Sequence, residues 1–205
     1  MRGEWFKRFR EDGKLCLTDE SYAQARKAVD EDLPIYLRHV REGSRILEAA
    51  CGPGYTAIPL SHHFKVTAFD RDERVLAAAR ENARKFGGGI EFVQADFFDI
   101  VEKFGKDSFD AVSSGSVLEH FPKDKIGKLV DLQLEVAPVV FASMPLFTEQ
   151  QVEEHRRLGI ETYCYTEEDW LGGIFRDYNV VEHRKLPERP VFDRFGQFMV
   201  VVKRK

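Results

Sequence analysis

The chain has few cysteines and no long hydrophobic run, and each shortage excludes a class of protein. Cys16, Cys51 and Cys164 are widely spaced, odd in number and without a C-x-x-C pair, which argues against a disulfide framework and a zinc site. We therefore predict no metal and a reducing compartment, the cytoplasm. No apolar run approaches the roughly 18 residues of a membrane span. The first residues also lack the apolar core of a signal peptide, so we expect no membrane partner.

A surplus of basic residues is also missing. Lysine and arginine total 31 against 35 aspartate and glutamate, which gives a formal net charge of −4. Because nucleic-acid binding depends on basic surfaces that meet phosphates, duplex nucleic acid is disfavoured as a partner. The 205 residues, 43% of them hydrophobic, can bury a substantial core within the usual size of one domain. We predict a single domain over residues 1–205.

What the chain does contain is a glycine turn, residues 51–54, between two predicted strands. The first strand closes at Glu48, and Gly52 and Gly54 follow it, where glycine lets the backbone turn sharply and approach a ligand. The second strand ends at Asp70, about 20 residues after the glycines, at a position where an acid can accept both ribose hydroxyls. On this turn alone, a βα turn with an unrelated ligand is an equally open interpretation.

A second acid at a strand end strengthens the prediction of a nucleoside site. The third predicted strand, residues 90–94, is followed by Asp96 and Phe97. A carboxylate and an aromatic ring suit the amino group and the ring face of adenine. The fourth predicted strand, residues 110–114, leads into a loop that contains Glu119 and His120. Ligand sites in such sheets lie at this edge.

Predicted strands and helices alternate along most of the chain. The last two predicted strands, residues 179–185 and 196–202, follow each other without a helix between them. Alternation is typical of a parallel sheet covered by helices, and adjoining strands suit an antiparallel hairpin. We predict an α/β fold with a doubly wound, mostly parallel seven-stranded sheet that closes with this hairpin. Residues 1–44 form a predicted helical extension, which either covers the active site or packs on the sheet.

Four segments in order resemble the class I S-adenosylmethionine-dependent methyltransferases: LEAACGPG, AFD, QADFFD and FDAVSSGSVLEHF. The resemblance covers roughly residues 45–147. It implies the Rossmann-like methyltransferase fold, S-adenosylmethionine as cofactor and S-adenosylhomocysteine (SAH) as product.

The resemblance also assigns roles to single residues. It implies that Glu48 and the glycines hold the methionine part, that Asp70 binds the ribose, and that Asp96 meets the adenine. One departure is Ala50, where the family usually has glycine, so that an added methyl group narrows the turn. The predicted cofactor-binding residues are Glu48, Ala50, Gly52, Gly54, Asp70, Arg71, Asp96, Phe97, Gly115 and Leu118.

Methyl transfer from a sulfonium is an in-line displacement, so the main task of such an enzyme is to align the reacting atoms. A base is useful where a nitrogen or oxygen nucleophile must lose a proton, and His120 is the histidine placed best for that role. The alternative is that Glu119 and His120 cap a helix or shape the pocket.

The acceptor is not specified by any motif. Its predicted pocket consists of aromatic residues outside the cofactor motifs together with one acid: Trp5, Tyr22, Glu119, Phe147, Tyr163 and Tyr165. Aromatic walls suit a sulfonium charge and a flat or cationic acceptor. Little material is left over to grip a polymer, so a small-molecule acceptor is favoured, with a flexible protein tail as the alternative.

Two other functions stay open at this point. A regulatory or scaffold protein could keep the fold and the cofactor without turnover. A nicotinamide dehydrogenase would explain the glycine turn and Asp70, but it gives no role to Asp96 and Phe97.

Overall fold

A computed structural model describes residues 4–186 and 196–205. Its central feature is a seven-stranded sheet with the strand order β3-β2-β1-β4-β5-β7-β6. The strands are β1 (Arg45–Ala49), β2 (Lys65–Asp70), β3 (Glu91–Gln94), β4 (Ala111–Gly115), β5 (Val139–Pro145), β6 (Asn179–Leu186) and β7 (Gln197–Lys203). The residues between β6 and β7, 187–195, lie outside the described part of the chain.

The sheet is parallel except at its carboxyl-terminal hairpin. The pairs from β3 to β5 are all parallel, whereas β7 runs antiparallel to both β5 and β6. The predicted fold class is therefore confirmed. Because the strand order reverses at β1 and β4, the loops leaving these two strands separate and open a crevice at the carboxyl edge.

Helices cover both faces of the sheet. They are α1 (Glu4–Glu11), α2 (Asp19–His39), α3 (Ala57–Leu60), α4 (Glu73–Phe86), α5 (Ile100–Phe104), α6 (Lys123–Val136) and α7 (Glu149–Arg157), with a π-helix at Asp169–Ile174. Successive residues of β1 point to opposite faces, so that Ile46 belongs to the core under α2 and Leu47 to the core under α6. This double burial explains why the central strands are apolar almost throughout.

Local sequence signals determine where several helices begin and end. Thr18 caps α2 through a capping box with Ser21, and Asp72 caps α4 by accepting from Arg74 N. Pro34 lies within α2, which is one continuous helix rather than two. The helix after the glycine turn is shorter than residues 55–63, the range that the apolar spacing predicts.

The amino-terminal extension packs into the fold. One face of α2 is buried against the sheet, with Ala25, Val29 and Tyr36 each at most 4% exposed. Helix α1 lies at the carboxyl edge, where Trp5 and Phe9 border a cavity. Within the described residues, no helix combines the length and apolar character that a bilayer crossing requires.

Candidate active site

A cavity of about 500 Å³ lies at the carboxyl ends of the parallel strands. This volume is within the usual range for small-ligand sites. Eight of the ten residues predicted to bind the cofactor line it: Glu48, Ala50, Gly52, Asp70, Arg71, Asp96, Phe97 and Gly115. The sheet thus brings together side chains that are up to 67 positions apart in the sequence, because the ends of β1 to β4 meet at one edge.

Two of the residues predicted to bind the cofactor, Gly54 and Leu118, do not line the cavity. Gly54 has a φ of +94°, and a Cβ added there would lie 3.0 Å from Ile58 Cδ1. The positive φ and the close approach of Ile58 both favour glycine at this position. Leu118 is 1% exposed and belongs to the core on the α6 side of the sheet.

Asp70 is held in place by the glycine turn. Its Oδ2 accepts from Gly52 N at 3.1 Å, and its Oδ1 accepts from Asp72 N at 3.0 Å. Burial raises the pKa of Asp70, while these two backbone N–H groups oppose the rise. Since a carboxylate has about four acceptor positions, each oxygen can still accept from a ligand hydroxyl.

Glu48 is the most deeply buried acid at the cofactor end of the cavity. Its side chain is hydrogen-bonded by Ser113, whose hydroxyl lies 3.1 Å from that of Tyr36. Oε2 of Glu48 has no hydrogen-bond partner among the described residues. Burial raises the pKa of this carboxyl to about 8. A buried carboxyl oxygen without a hydrogen-bond partner costs folding free energy. A ligand that donates a hydrogen bond to this atom would remove that cost.

Asp96 and Phe97 differ in exposure although they are neighbours. Asp96 is exposed, and its Oδ1 accepts from Phe98 N at 3.0 Å, which caps a short 3₁₀ turn. The ring of Phe97 is buried edge-on against Phe69, with 5.7 Å between ring centroids. The cap orients the carboxylate at the cavity, and the buried ring provides an apolar wall beside it.

Glu119 and His120 also line the cavity, in the turn that follows β4. Glu119 is 1% exposed, and neither carboxyl oxygen has a hydrogen-bond partner within the described residues. Burial raises its pKa to about 8 and lowers the pKa of His120 to about 4. Both groups are therefore neutral near pH 7. Oε1 of Glu119 lies 3.5 Å from Nε2 of His120.

The loop that follows α7 fixes His120 from its other side. Nδ1 of His120 lies 2.8 Å from the carbonyl oxygen of Glu161 and 3.1 Å from Oγ1 of Thr162. The backbone N–H of Tyr163 donates to the carbonyl of Glu119 at 2.9 Å. The Glu119–His120 turn is thus tied to this loop through three contacts.

Only part of the predicted aromatic wall borders the cavity. Trp5 and Phe147 line it, and the Trp5 ring lies edge-on to His120 at 4.9 Å between centroids. The other three predicted aromatic residues do not. Tyr22 stacks on Phe86 at 4.2 Å, and Tyr163 stacks on Tyr165 at 5.7 Å.

These positions have physical causes that helical or strand spacing does not encode. Tyr22 packs at the end of α4, on Phe86, and its hydroxyl lies 2.8 Å from Nε2 of His62, which follows α3. The hydroxyl of Tyr165 donates to the carbonyl of Phe121 at 3.0 Å, and its ring packs against the buried Trp170. In the described residues, no group of three or more His, Cys, Asp or Glu side chains forms a metal site.

Several cavity residues have no motif that would reveal them. Tyr36 belongs to an apolar helical stripe, which predicts a core residue, yet its hydroxyl reaches the cavity through Ser113. Phe9 covers the glycine turn, since its Cζ lies 3.4 Å from the place where a Gly52 Cβ would stand. His155, on α7, also lines the cavity.

Comparison with known proteins finds similarity to methyltransferases. A family model described as "Methyltransferase domain" matches residues 46–136. The chain is 39% identical over 80 residues to a ubiquinone biosynthesis O-methyltransferase of Methylocella silvestris, which is 38% of this chain and 30% of that protein. It is 32% identical over 94 residues to a tRNA/tmRNA (uracil-C(5))-methyltransferase of Campylobacter concisus, 44% of this chain and 26% of that protein. The chain therefore matches less than a third of the length of either relative.

Solved structures match over most of their length, and they show the fold. A methyltransferase of Anabaena variabilis superposes with a TM-score of 0.70 at 17% identity, covering 98% of this chain and 93% of that chain. The magnesium protoporphyrin IX methyltransferase of Synechocystis, with bound SAH, has a TM-score of 0.67 at 18% identity, covering 89% of this chain and 84% of that one.

Proposed function

We propose that this chain, which belongs to the class I methyltransferase family, transfers a methyl group from S-adenosylmethionine to a nitrogen or oxygen nucleophile of a small-molecule acceptor. The observation that carries the proposal is the convergence of three carboxyl groups on one cavity. Glu48, Asp70 and Asp96 stand at or just beyond the ends of β1, β2 and β3, around the turn at Gly52. A dehydrogenase has no evident use for the third acid.

The chain's own residues fit the cofactor. The unpartnered Oε2 of Glu48 suits a donor such as an ammonium group, and the two oxygens of Asp70 suit a pair of ribose hydroxyls. Asp96 and the wall formed by Phe97 suit an adenine. When bound, S-adenosylmethionine supplies a methyl group on a sulfonium. The protein's part is to hold the cofactor and to align the acceptor with it.

The acceptor side of the cavity has a composition that differs from the cofactor side. Trp5 and Phe147 provide apolar surface, and the neutral pair of Glu119 and His120 provides a proton donor and a proton acceptor. The cofactor and the reacting group of the acceptor have to share this cavity of about 500 Å³. We propose a small organic acceptor with an N–H or O–H group, and His120 as the base that receives its proton.

Calorimetric titration of the full chain with S-adenosylmethionine, SAH and NAD tests the cofactor. Both adenosyl ligands should bind, and NAD should bind more weakly; tighter binding of NAD would contradict the proposal. Incubation with tritium-labelled S-adenosylmethionine and a cell extract, separated into small-molecule and macromolecular fractions, tests the acceptor. Label in intact nucleic acid or protein would overturn the small-molecule proposal.

The same incubation distinguishes a second candidate, a cofactor-binding regulatory protein. The alanine at position 50 is the observation for this candidate, since its φ of +51° is a backbone conformation that residues with a side chain rarely adopt, and a strained turn departs from the glycine that is usual in the family. SAH binding without any transfer of label would support it.

We also propose a cytoplasmic location, because all three cysteines are free thiols, which suits a reducing compartment.

A further inference from the structure

A row of three side chains joins His120 to the less buried His155, which also lines the cavity. Nδ1 of His120 lies 3.1 Å from Oγ1 of Thr162, which in turn lies 3.1 Å from Nδ1 of His155. Thr162 is 6% exposed, and His155 is half-buried on α7. Thr162 and His155 lie outside the four segments that carry the family resemblance, and the separation of 42 positions between His120 and Thr162 conceals the contact.

The partners of His120 determine where its hydrogen lies. The carbonyl oxygen of Glu161, 2.8 Å from Nδ1, can only accept, so Nδ1 carries the hydrogen of the neutral ring and Nε2 carries the lone pair. Nδ1–H is therefore shared between Glu161 O and Thr162 Oγ1. The hydroxyl of Thr162 has a single hydrogen, which is free to be donated to Nδ1 of His155. His155 then carries its own hydrogen on Nε2.

A proton that arrives on Nε2 of His120 needs a way out. The ring is buried, with Trp5 of α1 packed edge-on against it and Glu119 on the Nε2 side. The other titratable groups nearby are His155, from α7, and Glu161, from the following loop. Because burial lowers the pKa of His120 to about 4, the imidazolium is unstable in this setting. Thr162 offers the one hydrogen-bonded route that the described residues provide from Nδ1 to a less buried titratable side chain.

We propose that His120, Thr162 and His155 form a proton relay that removes the acceptor's proton during methyl transfer. The inference rests on the proposed function. As the nucleophile gains the methyl carbon, its N–H or O–H bond breaks and the proton bonds to Nε2 of His120. The Nδ1 proton passes to Thr162 Oγ1, the threonine's own proton passes to Nδ1 of His155, and Nε2 of His155 releases a proton to solvent. After product leaves, Nε2 of His120 gives its proton to water that enters the emptied cavity, Nε2 of His155 takes one proton from solvent, and the protons on His155 Nδ1 and Thr162 Oγ1 each move back one step, which restores the hydrogen on His120 Nδ1.

Removing the central hydroxyl tests the relay kinetically. In the tritium-transfer assay, Thr162→Val should slow labelling of the small-molecule fraction at least about tenfold, a part of what acid–base catalysis contributes, and should change its pH profile. SAH affinity and thermal midpoint, measured on the same samples, report whether the fold is intact. Thr162→Ser keeps the hydroxyl and should restore most of the rate. A Thr162→Val rate and pH profile equal to those of the wild type would overturn the relay.

A second measurement needs no acceptor, so that failure of the relay and failure of the proposed function stay distinguishable. In nitrogen-15 NMR of the full chain with labelled histidine and bound SAH, His120 should be protonated on Nδ1 and His155 on Nε2. Thr162→Val should remove the preference at His155. A hydrogen on Nε2 of His120 would overturn the relay, whether or not label is transferred. If the wild type transfers no label, the proposed function and the relay built on it both fail, whereas the NMR result still shows whether the hydrogen-bonded row exists.

Discussion

The side-chain amide of Asn82, in the second half of α4, donates a hydrogen bond of 2.9 Å to the carbonyl of Pro53 in the glycine turn. The same amide nitrogen donates to Leu15 O at 2.9 Å, and the amide oxygen accepts from Leu17 N at 3.0 Å. One buried side chain therefore ties the segment between α1 and α2 to the turn that borders the cavity. It also anchors α1, from which Phe9 covers Gly52.

Asn82→Ala should destabilise the protein by about 2–4 kcal/mol, because it leaves three backbone groups without partners in a buried place. It should also weaken SAH binding, since the glycine turn loses its support. Urea unfolding and calorimetry measure the two effects. Asn179→Ala, at an exposed position at the start of β6, serves as the control and should change stability by at most about 0.5 kcal/mol. Equal unfolding midpoints for the two variants would contradict the prediction.

The contrast between Asn82 and Asp70 explains how far the sequence can predict this site. Asp70 follows an alternating apolar strand, and its position at a strand end places it at the ligand edge once the fold class is known. Asn82 sits in a helix with ordinary helical spacing, and its role depends on contacts 29 to 67 positions away. No local pattern records such contacts.

The same distinction holds across the acceptor side. Glu119 and His120 are predicted because they leave a strand end, and they line the cavity. The residues that pack near them come from α7, which contains His155, and from the loop beyond it, which contains Thr162, and neither residue belongs to a motif. Tyr22, Tyr163 and Tyr165 do not line the cavity for a related reason. The sequence shows that aromatic residues are present, but their positions depend on stacking, of Tyr22 on Phe86 and of Tyr163 on Tyr165.

Ala50→Gly should stabilise the protein by about 0.5–1 kcal/mol. Ala50 has a φ of +51°, a left-handed backbone conformation that costs an alanine roughly 1–2 kcal/mol. Glycine removes this cost, and the gain exceeds the stability that is lost because glycine raises the conformational entropy of the unfolded chain. Ala23→Gly, the same chemical change at an exposed position within α2, should destabilise by about 1 kcal/mol. Changes of the same sign in urea unfolding would show that the turn at Ala50 is not strained.

Stability should fall as the pH rises from about 6.5 to 8. Burial raises the pKa of Glu48 and Glu119 from 4.5 to about 8, so the folded state holds these two protons more tightly than the unfolded chain does. The resulting contribution to the free energy of unfolding is complete below pH 4.5 and is lost as the pH rises through about 8. The pKa of His120, lowered from 6.5 to about 4, gives the opposite slope only between those two values. Above pH 6.5, the two carboxyl groups therefore dominate.

Glu119→Gln isolates one of these carboxyl groups, because glutamine stays neutral at every pH. The variant should lose roughly half of the slope, which is at most about 1.4 kcal/mol per pH unit for each group. Urea unfolding at several pH values measures it, and Glu20→Gln on the exposed first turn of α2 is the control. A Glu119→Gln slope equal to that of the wild type would mean that Glu119 is ionised in the folded state.

Asp96→Ala should weaken adenosine binding about tenfold or more, because a hydrogen bond to a charged group contributes about 1.5–3 kcal/mol. Methionine alone should bind as before, since Asp96 stands beyond the end of β3 and the methionine end is assigned to Glu48 on β1. Calorimetry with the two fragments measures both. Equal losses for adenosine and methionine would place the action of Asp96 elsewhere, for example in the 3₁₀ turn that it caps.

Asp70→Ala should have the largest effect on the cofactor. If each oxygen accepts one ribose hydroxyl, two charge-assisted hydrogen bonds are lost, and SAH affinity should fall by about two orders of magnitude or more. The variant also releases Gly52 N and Asp72 N, which Asp70 accepts from, so part of the loss comes from a looser turn. Asp70→Asn keeps one acceptor oxygen, and its SAH affinity should lie between those of Asp70→Ala and the wild type.

Asp110→Ala provides the matched control for Asp70. Asp110 likewise accepts from a backbone N–H, that of Arg45 at 2.7 Å, but it lies at the other ends of β1 and β4. Both variants lose an aspartate that supports a strand end, and only the first loses an acid at the cavity. Similar SAH affinities for the two variants, with both folded, would show that the carboxylate of Asp70 supports the sheet rather than the ligand.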